Sequence, residues 1–232
     1  MILYGTHDCF KSPSARDSSR TERNLAVRER EKMLAGRLYL ASDPELVAGR
    51  RRARNLMRLY NDTLDEEDAE RLRLLRELLG GVGELPFIEP PFRCDYGSNI
   101  FMGDRVYINF GCIILDCAAV RLGSDVMLAP NVQIYAATHP INAWERIAGP
   151  ELARPITVGD RVWIGGGAIL CPGVTIGENT TIGAGSVVTK DISANVVAAG
   201  NPCRVLRQLD TVESSRPDPC PLSAAPDDPL NR

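Results

Sequence analysis

Two histidines, His7 and His139, occur in the 232 residues, and His139 stands in Ala137–Thr138–His139–Pro140. Imidazole has the unperturbed pKa that suits proton abstraction near neutrality. His139 directly follows a regular stretch of sequence, so a rigid scaffold can aim it, and it is the candidate general base. Gly165, Gly166 and Gly167 leave the backbone bare, so that a thin ligand can lie along it and meet N–H groups. The basic run Arg50–Arg51–Arg52–Arg54 reads as the solvated face of a helix. The formal charge is only −3, so nothing argues for a nucleic-acid partner. Cys9, Cys94, Cys112, Cys117, Cys171, Cys203 and Cys220 show no CxxC spacing and no regular framework, and several read as small hydrophobes. A reducing, cytoplasmic setting follows.

What must position His139 is a repeat. Val158, Ile164, Leu170, Ile176, Ile182 and Val188 recur at intervals of six, and Ile156, Val162, Ala168, Val174, Thr180 and Ser186 keep the same step two residues earlier. No helix has a period of six, and an ordinary strand alternates with a period of two. A fixed six means a short extended segment and a tight turn, repeated so that each unit buries the same position. The centre of the chain, 86–204, is therefore a parallel β-helix. Earlier coils run Val106/Ile108 and Cys112/Ile114, slip by two residues, and resume at Val120/Leu122, Val126/Leu128 and Val132/Ile134. From Tyr135 to Pro155 the register breaks before Ile156 restarts it. Such a segment is a loop thrown out of the coil, and His139 lies at its start. The zinc site of β-helical carbonic anhydrases needs three histidines, so one histidine in the repeat region excludes it.

Residues 23–81 read as a helical cap. A first helix carries Leu25, Met33 and Leu34 to the Ala35–Gly36 break. A second follows the capping signals in Ser42–Asp43–Pro44–Glu45 and presents Ala53, Leu56 or Met57, and Tyr60. A third opens at Thr63–Leu64–Asp65–Glu66, buries Ala69, Leu72, Leu75 and Leu79, and ends at Gly80–Gly81. These helices are too short to stand alone and should pack on something larger. Residues 1–22 read as a disordered extension and 211–232 as a Pro-rich flexible tail. No run approaches the roughly 20 apolar residues of a membrane span, and the amino terminus is too polar for a signal peptide.

Several segments resemble the maltose and galactoside O-acetyltransferases. They are Pro90–Pro91–Phe92–Arg93–Cys94–Asp95–Tyr96–Gly97–Ser98–Asn99–Ile100, Tyr107–Ile108–Asn109–Phe110, and Asn131–Val132–Gln133–Ile134–Tyr135 running on to Pro140. Val162–Trp163–Ile164–Gly165–Gly166–Gly167, Gly183 through Asp191, and Ala199–Gly200–Asn201–Pro202 match as well. Lys32 through Tyr39, followed by Asp43–Pro44–Glu45–Leu46, is similar to the helical cap of the maltose-type members. The cap, Tyr-Gly-x-Asn and Thr-His-Pro in that order are far more specific than the hexapeptides alone.

The resemblance implies a mainly β protein, a left-handed parallel β-helix with an N-terminal α-helical cap, against the usual crossover hand. It also implies a homotrimer with active sites between subunits, acetyl-CoA as acetyl donor, a sugar hydroxyl as acceptor and His139 as the base. A thioester is already activated, so one base and an oxyanion donor suffice and no metal is required. Tyr107 and Asn109 would contact the acceptor, Asn109 through both its donor and its acceptor, or else Asn109 stacks at a coil corner. Trp163, 24 residues after His139, would wall the acyl end of the cofactor, with Gly166, Ala184 and Thr189 along the groove. Lys190, Arg204 and Arg207 would meet the CoA phosphates. Two departures bear on the acceptor. Leu40 or Ala41 stands where the cap often has Asp, and Cys117 replaces an acceptor-binding Asp, leaving Arg50 and Asp116 as candidate contacts. An acceptor that is not a sugar, including an antibiotic, is the first alternative. A non-catalytic interaction module is the second, and it predicts a dispensable His139 and no affinity for CoA.

Overall fold

A computed structural model of the chain describes residues 27–210. The expectations for 1–22 and 211–232, and for Leu25, fall outside those residues. Both six-residue rows point inward: Val158, Ile164, Leu170, Ile176, Ile182 and Val188 are sealed from solvent, as are Ile156, Val162, Ala168, Val174, Thr180 and Ser186. The strands are short and stack in parallel into three sheets. Val158 lies beside Ile176, Ile164 beside Ile182 and Leu170 beside Val188, so eighteen residues make one three-sided coil. Each buried Val, Leu or Ile contributes about 1.5–3 kcal/mol, which makes this column the main source of stability. The polar members are satisfied. Thr180 Oγ1 donates to the Ser193 carbonyl at 3.0 Å, and Ser186 Oγ donates to that of Gly183 at 2.6 Å.

Before the loop the coil is longer. Ile88 lies beside Ile108, Cys94 beside Ile114, Met102 beside Leu122 and Ile108 beside Leu128, a step of twenty. The two extra residues fall at one corner, first between strands Arg93–Cys94 and Ile100–Met102, then between Ile113–Leu115 and Val120–Leu122. On its third visit to this corner the chain leaves after Gln133–Tyr135 and returns at Ile156–Val158. Ile134 therefore lies beside Leu170. The slip by two and the ejected loop are one feature, stacked on three successive coils.

The cap consists of α1 (Glu29–Leu34), α2 (Pro44–Asn61) and α3 (Asp68–Leu78). Asp43 caps α2 by accepting the Glu45 amide at 2.9 Å, with Pro44 in the first turn. Ala53, Leu56, Met57 and Tyr60 are buried on the face that the spacing gives, and Met33 anchors α1 while Leu34 stays exposed. α3 differs from expectation. It starts at Asp68, because Glu67 accepts the Leu64 amide at 2.7 Å and holds residues 64–67 in a turn. Thr63 caps nothing and instead takes the Nε of buried Arg71 at 2.9 Å. The buried face is accordingly Arg71, Leu74, Leu75, Leu78 and Leu79, with Ala69 exposed and Leu72 half-buried. The Tyr60 hydroxyl donates to the Ile88 carbonyl, and Asn61 pairs with both backbone groups of Phe92, fastening α2 to the first coil.

The coil begins at Gly81–Val82, ahead of residue 86, and pairs there with Ile100–Met102. At the far end Arg204–Gln208 folds back antiparallel on Val196–Ala199 and covers the open sheet edge. The ejected loop has its own order. Ala137–Thr138 pairs antiparallel with Pro150–Ala153, and that strand pairs with Tyr39–Leu40 of the cap. Between them lies the short helix α4 (Ala143–Ile147), capped by Asn142. The cap thus holds the loop that carries His139.

Candidate active site

The irregular corner and the cap enclose a cleft of about 320 Å³. Arg50 and Arg54 enter from α2 and Ala41 from the turn before it. Asp95 and Tyr96 come from the first pass of the corner, Leu115 and Cys117 from the second, and Ala137, His139 and Glu151 from the loop. The extra residues on each coil are what let three stacked passes aim side chains at one space. His139 lines the cleft, is exposed and makes no side-chain hydrogen bond to a described residue.

The walls are held by specific bonds. Arg50 donates to the Tyr96 hydroxyl and to the Ala41 carbonyl, each at 2.6 Å, and lies over the Tyr96 ring at 5.6 Å. Burial pushes the Tyr96 phenol up to about 12, so it stays protonated, although the Arg50 guanidinium pulls the other way. The Tyr39 hydroxyl donates to Glu151 at 2.8 Å, and Cys117 Sγ donates to Asp95 at 3.3 Å. Desolvation raises both the Cys117 thiol and the Asp95 carboxyl, the latter opposed by the Cys117 bond and by Arg50. Cys117 is therefore a neutral donor, not a nucleophile. Among the described residues no group of His, Cys, Asp or Glu is arranged to hold a metal ion.

Of the acceptor candidates, Arg50 lines this cleft and Asp116 does not. Asp116 is fully buried, and its carboxylate accepts the amides of Asp95 at 3.0 Å, Tyr96 at 2.8 Å and Asn99 at 3.2 Å. Its role as an acceptor contact is corrected to that of the knot that shapes the corner. Cys117, where the resemblance places an acceptor-binding residue, is the side chain that reaches the space. Sequence alone does not single out Asp95, Tyr96 and Glu151 as site residues, and it reads Arg54 only as part of a solvated basic face.

The other candidates divide. Thr189 and Lys190 follow Val187–Val188, at the irregular corner two coils beyond His139. Tyr107 and Trp163 lie on the seven-stranded sheet, in the cross-strand row Tyr107–Met127–Trp163–Thr181–Val197–Arg207. Asn109, Gly166 and Ala184 sit at the next, regular corner, and Arg204 is on the last strand. Asn109 Oδ1 accepts the Phe110 amide at 2.8 Å. The bare backbone at Gly165 serves coil stacking: a Cβ there would meet the Ala184 amide nitrogen of the next coil at 2.5 Å. The candidate residues therefore lie on different edges of one chain, with Arg50 and His139 on one, and Tyr107, Asn109 and Trp163 on the other.

A family model for the maltose acetyltransferase hexapeptide capping motif matches residues 32–83, and one for six bacterial transferase hexapeptide repeats matches 155–190. Nodulation protein L of Rhizobium meliloti is 50% identical over 177 residues, covering 76% of this chain and 97% of that protein. The crystal structure of a maltose O-acetyltransferase from Clostridium difficile superposes with a TM-score of 0.79 at 52% identity, covering 80% of this chain and 99% of that one. A galactoside acetyltransferase in complex with coenzyme A gives a TM-score of 0.77 at 43% identity, over 79% and 92% of the two chains. The fold is thus the left-handed parallel β-helix of hexapeptide transferases, and no helix among the described residues is long and apolar enough to cross a membrane. With its cap, its repeats and its full-length relatives in agreement, the chain belongs to the maltose/galactoside O-acetyltransferase family of hexapeptide-repeat acyltransferases.

Proposed function

We propose that this protein transfers acetyl from acetyl-CoA to a hydroxyl of a sugar, with His139 as general base. The observation that carries the reading is the cleft itself: an imidazole without a hydrogen-bond partner among the described residues lines a space walled by Arg50, Asp95, Tyr96 and Glu151. Paired donors and acceptors of this kind suit a polyhydroxylated acceptor. His139 takes the hydroxyl proton as the oxygen attacks the thioester carbon. The tetrahedral oxyanion collapses, the C–S bond breaks, and the imidazolium returns its proton to the CoA sulfur.

The row from Trp163 through Thr181 and Val197 to Arg207 supports the cofactor assignment. Three strand spacings span about 14 Å, a fitting length for a pantetheine arm with its acyl end at Trp163 and its phosphates near Arg207 and Arg204. Thr189 and Lys190 would meet the same cofactor from the other half-site. A single chain keeps these halves apart, so the complete site is assigned to the junction of neighbouring subunits in a homotrimer. Two exposed apolar patches support that assembly: Phe87, Phe110, Met127 and Trp163 near one edge, and Ile141, Trp144 and Ile147 on the loop. A patch on one subunit packing on a different patch of the next generates a ring where the rotation closes. CoA release measured across glucosides, galactosides, maltose and non-sugar acceptors tests the reading. Release that depends on a sugar and vanishes in His139→Ala supports it. Absence of CoA binding and of release favours the interaction module instead.

A further inference from the structure

The sequence flags Arg50–Arg51–Arg52–Arg54, and the cleft just described absorbs only Arg50. Every other fixed charge that lines it has a partner. Arg50 is tied to Tyr96 and Ala41, Asp95 takes the Cys117 thiol, and Glu151 takes the Tyr39 hydroxyl. Arg54 lines the same space, is exposed, and makes no hydrogen bond or ion pair with a described residue. Its charge nonetheless reaches the cleft, because it lowers the Asp95 carboxyl from a distance, though less than desolvation raises it.

Arg50, Arg54 and Arg58 are successive members of one i, i+4 row on α2, with Arg51 on the same side. Arg51 and Arg58 are also exposed and also lack a described partner, whereas Arg52 donates to the Glu77 carbonyl. In a chain of net charge −3 this is a cationic track of uncommitted guanidiniums that leads into the cleft at Arg54. We propose that the acceptor is an anionic sugar, whose carboxylate, sulfate or phosphate oxygen is taken by Arg54 and steered in along Arg58 and Arg51. This rests on the transferase reading. Guanidinium pairs planar and tetrahedral oxyanions through two parallel N–H bonds, so a site of this kind discriminates a charged acceptor from its neutral isostere. The carboxylates of Asp95 and Glu151 then serve the hydroxyls rather than the anion.

The test compares kcat/KM for matched acceptors, methyl glucoside and galactoside against the corresponding uronates, 6-sulfates and 6-phosphates, at 50 and 500 mM salt. The expected result is about tenfold preference for an anionic member, the size of one charge-assisted contact, weakening at high salt as the track is screened. Arg54→Gln should remove most of that preference, lowering kcat/KM for the anionic acceptor more than for the neutral one. Arg58→Gln should give a smaller loss confined to low salt. Which of the three anions is favoured identifies the group. Equal kcat/KM within each pair, or an Arg54→Gln effect that is the same on both members, overturns the proposal alone. Absence of His139-dependent release with every acceptor overturns the transferase reading and the proposal together.

Discussion

Two corners of the same coil solve the same problem in opposite ways. At the regular corner Gly111, Asn131, Gly167 and Gly185 all hold left-handed backbone, with φ of 71, 60, 68 and 67°. Each donates its amide to the coil before it, to the carbonyls of Pro91, Phe110, Pro130 and Gly166 at 2.9–3.0 Å. The turn is copied from coil to coil. At the irregular corner no two passes are alike: a five-residue bend around Asp95 to Asn99, a bend built on buried Asp116, then a loop with its own strands and helix. Repetition stacks the backbone and stabilises it. Departure from repetition, held on that backbone, brings unlike side chains to one point, and there the cleft forms.

The largest test of this contrast is His139→Ala. Loss of a positioned base should lower acetyl transfer by about 10²–10⁴-fold while the melting temperature stays put, since the exposed ring makes no hydrogen bond to a described residue. An equal fall in stability would show the irregular corner to be structural after all. Next comes Asp116→Ala, which orphans three amides, two of them buried, and should cost about 3 kcal/mol in urea unfolding. Trp163→Ala should mainly raise the apparent KM for acetyl-CoA, by about tenfold, or about 1.4 kcal/mol. Unchanged kinetics, or a loss confined to subunit assembly, would return Trp163 to packing.

At the regular corner Gly185→Ala meets nothing within 4 Å but must hold φ +67°, so it should cost only about 1–2 kcal/mol. If it costs as much as Asp116→Ala, the contrast between the corners fails. The smallest effect concerns pH. Burial pushes the Cys112 thiol to about 11 and the Tyr60 and Tyr96 phenols to about 12. Groups raised in the folded state contribute fully below their unfolded values, about 8.5 for Cys and about 10 for Tyr, and lose that contribution as pH rises through the folded ones. Urea midpoints should therefore hold to about pH 8 and fall progressively above it. A midpoint that rises with alkali would contradict the burial of these groups.

The coil was legible because its signal is local and repeated. Ile164, Leu170 and Ile176 occupy equivalent places, so a period of six names the buried side chain without knowledge of its neighbours. His139 and Arg50 were legible through resemblance and lie in the cleft. Asp116 was misread because sequence puts it next to Cys117 but cannot say which of the two faces out. Only the bend, turned by three backbone amides, decides that. The start of α3 was misread for a similar reason: Thr63 has the type and spacing of a cap, yet buried Arg71 competes for its hydroxyl.

By itself, then, the sequence determined the coil and the ejected loop and offered His139 as the candidate base, since periodicity and a single histidine in the repeat region are properties of a one-dimensional string. Tertiary structure alone decided that Tyr39–Leu40 of the cap would hold the histidine loop, and that Asp95, Cys117 and Glu151 would meet across distant stretches of chain. It also decided that Asn109 and Trp163 lie on a different edge from His139. Those outcomes depend on which residues a three-sided coil stacks over one another, and that follows from the summed lengths of its turns rather than from any residue type.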